Sequence, residues 1–249
     1  MRIGLVIYGS IETQSGGYLY DRILMRYLQA QGHQVEIVSL AWRNYLAHWR
    51  DNLAADLREH LLTADFDVLI QDELNHPSLF WLNRQLRGRV RYPIITLVHL
   101  LRCTEKRAWW KNRFYGAIEA LYLHSVDGFI LNSHTTLHDV EALIGRVTKP
   151  YTIAYPAADR FGEAQQQLPA LPYKIQRNAP LRILYVGNII PRKGLHTLLR
   201  ALDQVPHQQW KLDIVGNLEA DLYYSLAMQR HVAQSGWQKK VRFLGPLDH

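Results

Sequence analysis

Arg192 and Lys193 stand between the apolar run Ile183 to Val186, which stops at Gly187, and Gly194, which opens an amphipathic segment from Leu195. A strand that ends in glycine, with basic side chains over the start of a helix, has the composition of a phosphate cradle. Lysine acts there as a point charge while the first helical amides donate to phosphate oxygens, and Asn188 lies in the same turn. A second turn of this kind, Gly9-Ser10-Ile11-Glu12-Thr13-Gln14-Ser15-Gly16-Gly17, follows the first apolar run, Ile3 to Tyr8. Gly16 and Gly17 would let the backbone approach a phosphate or sugar closely; the plainer reading is a flexible turn. The turn carries neither the G-x-G-x-x-G spacing for a dinucleotide nor a Gly-Lys-Ser/Thr for a nucleoside triphosphate.

His99 directly follows the apolar run Ile94 to Val98, where an imidazole can orient a hydroxyl or contact a sugar, or simply bond loop carbonyls. Asp72, Glu73, Asn75 and His76 follow another such run; Glu73 and Asn75 are the candidates for binding a hydroxyl-rich acceptor, against a merely solvated acidic loop. Between Arg102 and Tyr115, five basic residues mix with four aromatics. Of these, Lys106, Arg107, Trp109, Trp110, Lys111 and Arg113 have the chemistry of contact with an anionic membrane surface. The alternative packs Trp110 and Phe114 inward at helical spacing. His134 and His138 are the best-spaced histidine pair, but no carboxylate accompanies them, and no metal site is expected.

These groups need a frame that brings strand ends together, and the apolar periodicity supplies one. Strand-length runs alternate with helical segments: Ile3 to Tyr8, Leu19 to Gln31, Val35 to Leu40, then strands at Val68 to Ile70, Ile94 to Val98, Phe129 to Leu131 and Tyr151 to Ala154. Helices are expected over Tyr45 to Leu62, Trp110 to Ser125 and Thr135 to Ile144, the last capped by Ser133. The rhythm fades into glutamines and prolines, then restarts with strands Arg182 to Val186, Lys211 to Val215 and Val241 to Leu244 and helices Leu195 to Leu202 and Ala220 to Gln234. The expected fold is α/β: two Rossmann-like, doubly wound parallel β/α/β domains, 1–160 and 181–249, joined by a linker over 161–180, with the second domain incomplete at three strands.

Composition bounds the function. The 249 residues are 48% apolar, ordinary for a folded protein, and Cys103 is the sole cysteine, which fits a reducing, cytoplasmic compartment. A formal charge of +7 implies an anionic partner. No zinc-finger spacing, RNA-binding aromatic signature or long basic run is present, so nucleic acid is not the expected partner.

On these residues the chain resembles the retaining, nucleotide-sugar-dependent glycosyltransferases of GT-B fold, group 1 or family 4 type. The marks are Ser15-Gly16-Gly17, His99 after a strand, Asn132-Ser133 at a helix start, Gly187 with Arg192-Lys193-Gly194, and Val241-Arg242-Phe243-Leu244-Gly245. The resemblance implies a donor lying between the two domains, with Gly16, Gly17, Asn188, Arg192 and Lys193 around its diphosphate and His99, the catalytic candidate, near the transferred sugar or acceptor. It implies retention without a metal or resident cofactor, the nucleotide sugar being substrate, and a glycan, lipid-linked or small-molecule acceptor. Asn188 stands where the family commonly has an arginine, and Tyr155-Pro156-Ala157-Ala158-Asp159 where an Asn-Gly-Val-Asp turn is usual. The family's paired glutamates would fall beyond His249. Two other readings stay open: a non-catalytic module binding an acceptor or the inner, anionic face of a membrane, and another nucleotide-sugar enzyme such as an epimerase.

Overall fold

The computed structural model describes residues 1–156, 180–206 and 209–247. The chain divides into two compact units, Met1–Gly162 and Glu163–His249. Apart from Pro180, the linker expected over 161–180 lies outside the described residues, as do Ala157, Ala158 and Asp159.

The first unit is built on a parallel sheet of strands β1 (Arg2–Tyr8), β2 (Gln34–Leu40), β3 (Val68–Asp72), β4 (Ile94–Val98), β5 (Gly128–Leu131) and β6 (Tyr151–Ile153). Their order across the sheet is β2-β1-β3-β4-β5-β6. Ile3 pairs with both Val35 and Val68, which makes β1 central, and its run of apolar side chains serves both faces. Ile3, Leu5 and Ile7 enter one apolar cluster with Tyr18, Met25, Ile70 and Leu97. Val6 and Tyr8, pointing the other way, enter the larger cluster with Leu69, Leu79, Tyr122 and Phe129. Helices α1 (Gly16–Ala30), α2 (Ala55–Thr63), α3 (His76–Leu79), α4 (Leu82–Leu86), α5 (Trp109–Leu123) and α6 (His134–Ile144) surround the sheet. Ser15 and Ser133 cap α1 and α6, accepting from the amides of Tyr18 at 3.3 Å and Thr136 at 3.1 Å.

Two elements depart from the sequence pattern. The single helix expected over Tyr45 to Leu62 is a 3-10 turn, Ala47–Leu53, followed by α2, with Ala54 extended between them. The break has a tertiary cause. The Asn52 side chain donates to the Pro77 carbonyl (2.8 Å) and accepts from the Trp81 amide (2.8 Å), so it is spent on α3 and α4. The second departure is those two short helices, whose aperiodic residues gave no helical signal.

The second unit carries strands β7 (Leu181–Val186), β8 (Trp210–Val215) and β9 (Val241–Gly245) in that order, all parallel, with helices α7 (Leu195–Leu202) and α8 (Leu222–Gln234). Among the described residues this gives the three strands expected. Ile189, Leu195, Leu199, Trp210, Leu212, Ile214 and Trp237 form its core, with Trp210 and Trp237 edge to face at 4.9 Å. The alternate residues of β7 and β9 are open: Leu184 is 64% and Val186 70% exposed. Each unit by itself is a Rossmann-like α/β layer structure with a parallel sheet, the second small.

Candidate functional site

The C-terminal ends of parallel strands are where α/β sheets present chemistry, because successive strands leave the sheet there into loops and helix starts. In the first unit the turn after β1, the loops after β2, β3 and β4, and Asn132 after β5 all gather at that edge. Two cavities of this unit lie at the opposite ends of the strands: about 210 Å³ beside Arg2 and Gln34, and about 330 Å³ beside Arg87, Tyr92 and Asp127. Neither belongs to the residues singled out by sequence.

His99 leaves β4 and is held from several sides. Its Nε2 lies 3.0 Å from Oδ1 of Asp21, a carboxylate of α1 with no exposed surface. Tyr20 meets the ring edge to face at 5.1 Å, and the His99 carbonyl accepts from the Asn132 side-chain amide at 2.9 Å. Burial would lower the affinity of this ring for a proton, but the Asp21 hydrogen bond and the charges of Asp72, Asp21 and Glu73 outweigh it, and the pKa is raised.

Gly16 and Gly17 begin α1, so they form its first turn and not the loop before it. They do different work. A Cβ on Gly17 would sit 3.3 Å from Cδ2 of His99, whereas one on Gly16 would meet nothing within 4 Å. Gly17 therefore makes room for the histidine, and Gly16 leaves open space at the head of the helix.

Below His99 lies a set of buried acids. Asp72 caps the following turn, accepting from the Leu74 amide at 2.9 Å, and burial together with the Asp21 charge pushes its carboxyl up to about 7. Glu73 is only 3% exposed, and burial followed by the Asp72 charge lifts it to about 8. Glu119 of α5 is raised to about 7 by burial and by Glu73; it accepts the amides of Arg102 and of Cys103, the latter at 3.0 Å. His76, driven down to about 4 by burial, places Nδ1 3.0 Å from both the carbonyl and Oε1 of Glu73 and Nε2 2.9 Å from the Tyr45 hydroxyl. The Arg102 guanidinium lies over the rings of Tyr45 and Tyr115, at 5.1 and 4.8 Å.

Here the expectation for Glu73 and Asn75 needs correcting. Both were acceptor-binding candidates on an open loop, but Asn75 has no exposed surface and Glu73 almost none. The Asn75 amide is consumed by backbone, its nitrogen donating to the Val6 and Asp72 carbonyls and its oxygen accepting from the Tyr8 amide, each at 3.2 Å. The loop after β3 is a buried support, built because a bend here has to satisfy backbone groups at the sheet edge. Asp21, Asp72 and His99, and likewise Glu73, His76 and Glu119, bring ligand-type atoms within 4.8 Å of one another. These are donor types a cation could use, and in both groups protein hydrogen bonds already engage several of them. His134 and His138 belong to neither group.

In the second unit Arg192 and Lys193 are exposed, and among the described residues neither forms an ion pair. Asn188 is half-buried beside them. Gly194, at φ 73°, supplies the left-handed conformation that starts α7. The cradle departs from expectation in its amides. Those of Thr197 and Leu198 donate to the Gly194 carbonyl, at 2.9 and 3.2 Å, and that of His196 to the Tyr224 hydroxyl at 3.0 Å. The cationic side chains, more than a row of free amides, are what this turn offers an anion.

The basic and aromatic residues at the start of α5 face outward. Trp109 is 74% and Trp110 57% exposed, so Trp110 does not pack inward as the alternative required. Phe114 lies parallel to Trp49 at 6.0 Å, and the Lys111 ammonium lies 5.3 Å from the Trp110 ring centre. Lys106, Arg107 and Arg113 are exposed as well, with Arg107 paired to Glu105. Among the described residues no helix is long and apolar enough to cross a membrane.

Sequence reasoning missed Asp21, Glu119 and Arg102. The signal was present for the acids: Asp21 shares the inward face of α1 with Tyr18 and Met25, and Glu119 that of α5 with Tyr122. A carboxylate on an apolar stripe is itself a flag.

Comparison with known proteins bears on both units. Residues 174–249 match the family model "Glycosyl transferases group 1". No curated protein matches the chain in sequence. Among solved structures, the chain is similar to Anabaena Alr3699/HepE in complex with UDP and glucose, with TM-score 0.63 and 16% identity over 100% of this chain and 70% of that one. It is similar to the lipopolysaccharide outer core galactosyltransferase WaaB (0.66, 13%, over 100% and 69%). The trehalose 6-phosphate synthase of Burkholderia multivorans gives 0.64 and 14%, over 100% and 72%. At these identities the structures establish the GT-B fold. The family match covers residues 174–249, the segment that includes the Arg192-Lys193 turn.

Proposed function

We propose that this chain transfers a sugar from a nucleotide-sugar donor to a glycan or lipid-linked acceptor, with retention and without a resident metal. The reading proceeds from a GT-B fold whose residues 174–249 match glycosyl transferases group 1. The observation that carries it is the unpaired Arg192-Lys193 turn inside that matched segment, in a protein that also builds a fixed histidine at a strand edge. Lys193 and Arg192 neutralise the charge that grows on the departing diphosphate, Lys193 as the point charge. Asn188 adds a neutral contact beside these cations, and in the first unit Gly16 leaves open space at the head of α1 and His99 is the candidate for contact with a sugar hydroxyl. Retention is proposed on the resemblance to the retaining enzymes alone.

Calorimetric titration with UDP, GDP and ADP tests the donor half. We expect one of the three to bind, and Lys193→Ala to weaken it; no binding of any of them overturns the proposal. Product analysis with a bound sugar nucleotide separates transfer from epimerisation, since an epimerase needs no acceptor.

The exposed Trp109 and Trp110 among Lys106, Arg107, Lys111 and Arg113 favour peripheral contact with an anionic membrane face, where a lipid-linked acceptor is presented. Sedimentation with vesicles should show binding that grows with the share of anionic lipid and falls in the Trp109→Ala/Trp110→Ala double variant. Indifference to both excludes membrane contact.

A further inference from the structure

We infer that Asp21 is the positioning residue for His99: from inside α1 it accepts a hydrogen bond from the ring's Nε2–H, and the Nδ1 edge is thereby the one presented to substrate. The inference rests on the transferase reading for its purpose, though not for its geometry. Asp21 has no exposed surface, its Oδ1 is 3.0 Å from Nε2, and its Oδ2 has no hydrogen-bond partner. A buried carboxylate with one oxygen on a single imidazole is costly unless the ring donates to it, so Nε2 carries the hydrogen. The neighbouring ring carbon, Cδ2, is covered by the first turn of α1, close enough that a Cβ at Gly17 would lie 3.3 Å away, and Tyr20 meets the ring edge to face. The side chain keeps 18% exposure, and among the described residues Nδ1 has no hydrogen-bond partner. One helix thus determines which ring nitrogen is spent on the protein and which is left.

The groups facing His99 are Asp21 and Tyr20 from α1, Asp72 from the end of β3 and Glu73 from the turn after it. Three carboxyl groups against one imidazole favour the doubly protonated ring. In that state Nδ1–H donates to an electron-rich oxygen of the bound molecule, either a sugar hydroxyl or a phosphate oxygen. No bond is made or broken by the pair itself. Asp21 touches no substrate; it acts through His99.

Nitrogen and carbon NMR of the imidazoles, with His99 assigned through His99→Gln, reads the pair in the free protein. In the wild type we expect the neutral ring to carry its proton on Nε2 and to titrate above the ordinary value of about 6.5. Asp21→Asn should bring the titration down and mix the two tautomers, and Asp72→Asn should lower the titration while preserving the tautomer. A wild-type ring protonated on Nδ1, or one that Asp21→Asn leaves unchanged, overturns the inference. The wild-type spectrum decides the tautomer even if the variants fold poorly. With a turned-over sugar nucleotide, Asp21→Asn should lower kcat about tenfold with KM nearly unchanged. If no sugar nucleotide is turned over, the transferase reading fails while the NMR result still stands or falls alone.

Discussion

The strand-end edge of the first unit hides its charges, and the turn after β7 in the second displays them. Around the edge of the six-stranded sheet Asp21, Asp72, Glu73, His76 and Glu119 are all buried, each answered by another polar group of the protein. At the turn after β7, Arg192 and Lys193 stand in solvent, and among the described residues no acid pairs with them. Core size explains the contrast. The larger sheet buries apolar clusters on both faces and can meet the desolvation cost of ionisable groups, whereas the smaller one gathers one cluster and leaves Leu184 and Val186 open. Buried groups fix geometry and protonation; exposed cations attract a diphosphate at little cost in stability and at the mercy of salt.

The largest effect expected from breaking this comparison lies in the second unit's backbone. Gly216 adopts φ 150°, and a Cβ there would lie 2.0 Å from the Gly187 carbonyl oxygen. Gly216→Ala should destabilise that unit by about 3 kcal/mol or more, seen as loss of the near-UV signal of Trp210 and Trp237. Gly16→Ala, entering open space, should cost less than about 1 kcal/mol while impairing nucleotide binding.

A pH effect comes next and belongs to the first unit. Glu73 at about 8, Asp72 and Glu119 at about 7 all lie above the ordinary carboxyl range, so the folded state holds protons the unfolded chain has released. Their share of stability is therefore fully present below about pH 4 and falls as pH rises towards 8. His99, also raised, contributes in the same direction as pH passes through its folded value; His76, at about 4, acts oppositely, and only up to about pH 6.5. Urea unfolding should show the first unit weaker at pH 8 than at pH 6.5. Glu73→Gln should recover on the order of 1 kcal/mol at pH 8. Stability that rises across this window would contradict the burial argument.

Lys193→Ala should weaken binding of whichever of UDP, GDP and ADP the protein takes about tenfold at low salt, with a smaller loss at high salt and an unchanged unfolding midpoint. The smallest effect is expected at Arg242, whose guanidinium forms a two-point pair with Asp213 at 2.6 and 2.7 Å on the open side of the second sheet. Arg242→Ala should leave the thermal midpoint of that unit without measurable change, because an exposed pair gains little over water.

The two units also differ in how much could be read from residue order. Every strand among the described residues was legible: one buried on both faces is a continuous apolar run such as Ile3 to Tyr8, and one buried on a single face alternates, as Trp210, Leu212 and Ile214 do with Lys211 and Asp213. Ser133 announced its cap. The turn with Arg192 and Lys193 was legible because its chemistry is local in sequence. The surroundings of His99 were not. Asp21 lies 78 positions away from His99 and Glu119 lies 17 from Arg102, so these partners exist only once the helices dock. Glu73 and Asn75 misled for the same reason: polar residues after a strand look solvated until the elements that cover them are known. The break within the expected Tyr45 to Leu62 helix also depended on a distant bond, from Asn52 to Pro77.

The contact between Gly187 and Gly216 limits change in a further way. The Gly187 amide donates to the Val215 carbonyl at 2.9 Å and the Ile189 amide to the Asn217 carbonyl at 3.0 Å, so the turns after β7 and β8 are laced together on both sides of the touching glycines. An inserted residue between Gly187 and Ile189, or between Val215 and Asn217, would displace the other turn. Variation in loop length, the usual means by which an α/β protein adjusts what it recognises, is thus costly at the start of the turn that carries Lys193, and falls more easily beyond Ile189.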